Sequence, residues 1–143
     1  MIVNKIMTIE VITIGMDDTL EQIQNLFEKH KFHHLLIMED EELIGIISDR
    51  DVLKEISPYV NTISEDTRSR ETLKKKAHQI MTRQPITVEP DTLVDDAANI
   101  MLKQNISCLP VLSPSGNIQG ILSWKDILKF YIKRNNELQE ILE

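Results

Sequence analysis

Apolar residues in this chain fall into short runs and helical stripes, and their order is written twice. After Thr19, the positions Leu20, Ile23, Leu26 and Phe27 keep the three-and-four spacing of one helix face. Gln22, three residues beyond Thr19, predicts a capping box at the start of that helix. Two apolar runs follow, Leu35 to Met38 and Leu43 to Ile47, parted by Glu39-Asp40-Glu41-Glu42 in the manner of a hairpin. A second helix is expected from Ser48, burying Val52, Leu53 and Ile56 and ended by Pro58. Ile12-Thr13-Ile14 reads as a short strand ahead of all this. The second passage runs in the same order. Ile86-Thr87-Val88 precedes a helix capped by Thr92 and carrying Leu93, Ala97, Ile100 and Met101. Runs Leu109 to Leu112 and Ile118 to Leu122 flank Ser113-Pro114-Ser115-Gly116-Asn117. A helix from Ser123 should then bury Ile127, Leu128, Tyr131 and Ile132.

Direct self-comparison agrees. Met7-Thr8 recurs as Met81-Thr82, and GIISDRDVL (Gly45 to Leu53) recurs as GILSWKDIL (Gly120 to Leu128) at nearly the same offset. Each copy is a β-α-β-β-α unit whose small sheet has too little core to stand alone. The expected fold is therefore α+β, with two repeats packed by pseudo-two-fold symmetry into one module. Residues 1–60 form the first repeat, 61–80 a partly helical linker, and 81–143 the second repeat with a C-terminal helix. In the linker, Ser69 should cap a helix with Leu73, Ala77 and Ile80 on one face. Leu138, Ile141 and Leu142 extend the apolar face of the last helix, against the module or a second subunit.

Composition narrows the function classes. The 143 residues carry a formal net charge of −7, which argues against an extended nucleic-acid or anionic-membrane surface, so any phosphate site must be local. Cys108 is the only cysteine, so no internal disulfide forms. No stretch has the apolar length of a signal or a membrane span, and a cytoplasmic location is expected.

The duplicated unit, the Met-Thr openings and the Gly-hydrophobic-hydrophobic-Ser-x-x-Asp closures resemble a tandem pair of CBS domains, a Bateman module, over roughly Met7 to Lys133. The resemblance implies a non-catalytic regulatory module that binds AMP, ADP or ATP where the repeats meet. An S-adenosyl compound is a further candidate, and a homodimer acting on a separate effector protein is implied as well. Ser48-x-x-Asp51 and Ser123-x-x-Asp126 stand at strand-to-helix junctions, where free N–H groups favour an anion and an acceptor-only carboxylate suits ribose hydroxyls. The same spacing also makes a plain capping box, and the two roles are compatible. As the resemblance assembles them, a first site would use Ser48, Arg50, Asp51, His33 and His34 with Thr82, Thr87 and Ile106. A second would use Ser123, Lys125, Asp126, Ser107 and Cys108 with Thr8, Thr13 and Phe32. The first ranks higher, because its phosphate end carries an arginine and two imidazoles against one cation in the second. Trp124, beside the second, would either stack on a base or obstruct it.

Rival readings are weaker. His30, His33 and His34 are close in sequence but straddle a helix end and a strand start, without a carboxylate pattern that would make a metal site. Cys108 has no evident third orienting group to make it a nucleophile with His33 or His34. The basic run Arg68, Arg70, Lys74, Lys75 and Lys76 is interleaved with Glu71, follows Glu65 and Asp66, and lacks aromatic residues for base stacking, so no nucleic-acid partner is expected. The principal alternative is a dimerising adaptor whose cleft stays empty and whose Ser-Asp pairs serve only as caps.

Overall fold

A computed structural model of the chain describes residues 1–143. It divides into two compact units, Ile12–Pro85 and Met1–Val11 with Ile86–Glu143. These do not follow the repeat boundaries, since each Met-Thr opening packs with the sheet of the other repeat.

In Ile12–Pro85, β1 (Thr13–Ile14) leads into α1 (Leu20–Lys29). The Thr19–Gln22 capping box is complete, with both reciprocal bonds formed. The hairpin of β2 (His34–Glu39) and β3 (Glu42–Ser48) is tighter than the four-residue turn the sequence suggests. Only Asp40 and Glu41 turn the chain, at φ of 49° and 64°, as a two-residue turn with both φ values positive demands. Next come α2 (Asp49–Glu55), α3 (Thr67–Glu71), α4 (Ala77–Ile80) and β4 (Thr82–Arg83). The sheet order is β1-β2-β3-β4, parallel at β1·β2 and antiparallel elsewhere. Leu20, Ile23, Leu35, Ile37, Ile47, Ala77 and Met81 form its core.

The other unit repeats this plan with α5 (Val94–Gln104), β5 (Cys108–Leu112), β6 (Ile118–Ser123) and α6 (Trp124–Leu142). Val88 bridges Val111 in parallel where β1 would lie, and Thr8 bridges Ile121 antiparallel where β4 would lie. Val3, Val94, Leu109, Val111 and Leu122 fill the centre.

The two repeated motifs explain each other. A Cβ on Gly45 would stand 2.4 Å from Met81 Sδ, and a Cβ on Gly120 would stand 2.6 Å from the Thr8 carbonyl oxygen and 3.0 Å from Met7 Sδ. Each glycine is therefore the seat of a Met-Thr segment carried over from the opposite repeat.

Three expectations need correction. The linker does not form one Ser69-capped helix: Asp66 accepts the Ser69 N–H at 2.7 Å and caps α3 instead, and Lys75 with the extended Lys76 separates a 3₁₀ turn (Thr72–Lys74) from α4. Asp66 lies three residues earlier and takes the capping geometry first, leaving Ser69 buried in the first turn. Thr92 does not cap α5. Its hydroxyl oxygen accepts the Glu89 N–H, while Leu93 occupies the cap position and the Met1 carbonyl receives the Val94 N–H. Finally, Val52 and Ile127 are buried as expected, but Leu53 is 72% exposed and Leu128 and Ile132 are about half exposed, so helical spacing marked a wider apolar face than the core covers.

Candidate functional site

In Ile12–Pro85 the strand β3 runs directly into α2, which makes Ser48 the helix cap. Ser48 Oγ accepts the Asp51 N–H at 3.1 Å, and Asp51 Oδ2 accepts the Ser48 N–H at 2.9 Å. Both residues are half-buried, so the carboxylate is held at the surface with Oδ1 outside the box. His34 faces Ser48 across the β2·β3 ladder. Burial pushes its pKa below the ordinary 6.5, outweighing the charge of Asp49, which raises it. His33 is drawn instead to Asp49, Nδ1 to Oδ2 at 2.8 Å, a pairing that sequence reasoning missed. Arg50 is exposed. Thr82 lies on β4 opposite Ile46, in the same unit as Ser48, and makes no hydrogen bond to Asp51. Thr13 and Phe32, assigned by sequence to the second site, also belong to this unit. Thr13 is exposed, whereas Phe32 is tied into a ring cluster with Phe27 and His30 at centroid distances of 5.5 and 5.3 Å. His30 and His33 thus have different partners, and no three metal-ligating groups converge.

The corresponding junction in the other unit is Ser123 at the head of α6. Its backbone N–H and its hydroxyl both donate to Asp126 Oδ2, at 3.0 and 3.1 Å, while the Asp126 N–H returns to Ser123 Oγ at 3.3 Å. The Thr8 hydroxyl, placed by the Thr8–Ile121 bridge, lies 3.5 and 3.4 Å from the two carboxylate oxygens of Asp126. Trp124 and Lys125 are exposed, and Lys125 Nζ stands 5.9 Å from the centre of the indole ring. Ser107 is exposed and its carbonyl accepts the Trp124 N–H. Cys108 pairs with Ser123 in the ladder, as His34 pairs with Ser48. Burial, helped by the charge of Asp126, pushes the thiol strongly up, which makes it a poor nucleophile. Thr87 is exposed and Ile106 packs against this unit's core, so these two members of the first predicted site lie in a different unit from Ser48.

Asp126 also lies on the wall of a groove of about 580 Å³ between the N-terminal segment and α6. Lys5, Lys129, Lys133 and Arg134 line it together with Glu137. Sequence reasoning credited this junction with Lys125 alone. The spacing of Asp126, Lys129 and Lys133 on one helix face was a legible hint, while Lys5 arrives only through the packing of the opposite end of the chain.

The CBS-domain family model matches residues 3–58 and 77–133. The chain belongs to the CBS-domain family, as a tandem pair. A CBS domain-containing protein of Dictyostelium discoideum is 33% identical over 134 residues, covering 92% of either chain. Protein MJ1426 of Methanocaldococcus jannaschii is 31% identical over 146 residues, covering 85% of this chain and 86% of that one. Among solved structures, the CBS domain pair of protein MJ0100, in complex with 5′-methylthioadenosine and S-adenosyl-L-methionine, superposes with a TM-score of 0.78 at 28% identity, covering 94% of this chain and 98% of that one. The CBS pair and its α+β fold therefore agree with the sequence reading. No helix is long and apolar enough to cross a membrane.

Proposed function

We propose that this CBS pair is a regulatory module that binds an adenosine-containing ligand, with AMP, ADP, ATP or an S-adenosyl compound as candidates, and passes the result to a separate effector or to its own oligomeric state. The observation that carries this reading is the Thr8–Asp126–Ser123 constellation: a half-exposed carboxylate, oriented from behind by a helix cap, with a threonine hydroxyl at a replaceable distance in front. An acceptor fixed in this way suits a pair of ribose hydroxyls. Ser48 and Asp51 offer the same support in the other unit. The MJ0100 pair's ligands are adenosine derivatives, which adds weight to the ligand class.

The output follows from linkage: a ligand shifts an equilibrium only by binding its two states unequally. Exposed Leu128 and Ile132, one turn apart on α6, support a homodimer as the responding state. The chain acts in the cytoplasm and carries out no chemistry, in keeping with its buried, unreactive Cys108.

Calorimetric titration with AMP, ADP, ATP and S-adenosylmethionine tests the reading. Hydrogen bonds to a charged carboxylate are worth about 1.5–3 kcal/mol, so Asp126→Ala and Asp51→Ala should each weaken ligand at their own helix start by about one to two orders of magnitude. A folded wild type that binds none of the panel leaves the adaptor with bare caps as the better account.

A further inference from the structure

We infer that α6 pairs antiparallel with α6 of a second copy of this chain, across a two-fold axis near Asn135. This rests on the homodimer reading above and deepens it by naming the contact surface and the direction of the pairing.

The exposed seam of α6 is the first argument. Leu128, Ile132, Asn135, Gln139 and Leu142 alternate steps of four and three residues, the spacing that keeps one stripe turned toward a partner helix. All five are exposed, Leu142 at 80%. Residues 134–142 are exposed throughout and lie beyond 77–133, the stretch that matches the second CBS domain, so the repeat's own packing does not account for them. Helices in proteins draw most of their stability from a packed apolar face, and here that face has no cover within the chain.

Charge complementarity names the occupant and the direction. Lys125, Lys129 and Lys133 stand along one flank of the seam in the first half of α6, and Glu140 and Glu143 continue that flank at its end. None of the five makes an ion pair within the chain. Their order runs against the helix's own dipole, which favours carboxylates at the start and cations at the end, and the last turn of α6 holds no basic residue. A second α6 laid parallel would set lysine on lysine and glutamate on glutamate. Laid antiparallel about Asn135, it sets Lys129 beside Glu140 of the second copy and Leu128 beside Leu142 of the second copy, and each dipole meets its opposite end. Asn135 then faces its own equivalent, and a polar pair within an apolar seam fixes the register. A two-fold contact repeats every pairing, so one charge pattern serves both copies.

The test is cysteine cross-linking of the full chain under mild oxidation, with sedimentation of the wild type alongside, with and without ATP. Native Cys108 is buried and stays silent, and Leu128, Asn135 and Leu142 are exposed, so the fold should persist, which a thermal melt checks. A disulfide needs Cα atoms within about 7 Å of each other. At ~1.5 Å per residue, the two copies of residue 128 lie about 21 Å apart along an antiparallel pair. Asn135→Cys should therefore form a covalent dimer and Leu128→Cys should not, whereas the Leu128→Cys/Leu142→Cys double variant should. Lys129→Glu should weaken the dimer about threefold or more at low salt, and Glu140→Lys added to it should restore the wild-type affinity. Leu128→Cys cross-linking with itself overturns the antiparallel direction, and a charge-swapped chain no tighter than Lys129→Glu overturns the charge pairing. A dimeric wild type in which none of the cysteine variants cross-links moves the contact off α6 and leaves the homodimer reading intact. A wild type that sediments as a monomer at every concentration, with and without ATP, gives the face to a different protein and removes both.

Discussion

The two units place the same Ser-x-x-Asp box at the same strand-to-helix junction, yet they surround it with opposite electrostatics. Around Ser48 and Asp51 two of the three basic side chains are engaged or suppressed, His33 by its pairing with Asp49 and His34 by burial, which leaves the exposed Arg50. Around Asp126 the cations are exposed and unpaired along α6. Counting residues in the sequence gives the first junction more basic groups, whereas in the folded unit more basic side chains gather beside Asp126. The lesson is that an imidazole beside a carboxylate is not available charge, while lysines a turn or two down a helix are.

The comparison can be broken first at the glycines. Gly120→Ala drives a methyl group against the Thr8 backbone carbonyl, which accepts the Ile121 N–H and cannot turn aside. Gly45→Ala meets first the side chain of Met81, whose sulfur end can shift more readily than backbone. Urea denaturation should therefore show a loss of about 2–3 kcal/mol for the first and about 1 kcal/mol for the second. Equal losses would mean that the two Met-Thr segments are seated alike, contrary to the geometry.

A smaller effect sharpens the contrast between His34 and its ladder equivalent Cys108. The folded state holds His34 below its unfolded pKa, so the unfolded chain takes up the proton first. The stability that His34 contributes is present above pH 6.5 and declines as pH falls through that value toward the folded pKa, below which the decline levels off. Thermal melts at pH 7.5 and 5.5 should differ less in His34→Gln than in the wild type. An unchanged difference assigns the acid sensitivity elsewhere.

Caps whose two reciprocal partners both stand in the sequence were legible, whereas the single-residue caps expected at Ser69 and Thr92 were not. The Thr19–Gln22, Ser48–Asp51 and Ser123–Asp126 boxes form as the spacing predicts because each closes on its own backbone. Features decided by packing were not legible. Nothing local says that Met81-Thr82 completes the sheet of Ser48 or that Met7-Thr8 completes that of Ser123, although the paired recurrence of Met-Thr and Gly-Ile was a mark of it. Leu53, Leu128 and Ile132 have core spacing and remain exposed, since periodicity defines a face without saying what covers it. The cluster of cations beside Asp126 escaped notice because Lys5 and Lys133 meet only in the folded unit.

Trp124 is the sole tryptophan, exposed and adjacent to Ser123, so its fluorescence reports on the Asp126 junction. Titrating ATP against this signal should give a saturable change that weakens tenfold or more in Asp126→Ala and is unaltered in Asp51→Ala. A response of the same affinity in folded Asp126→Ala would contradict the placement of the ligand at that carboxylate.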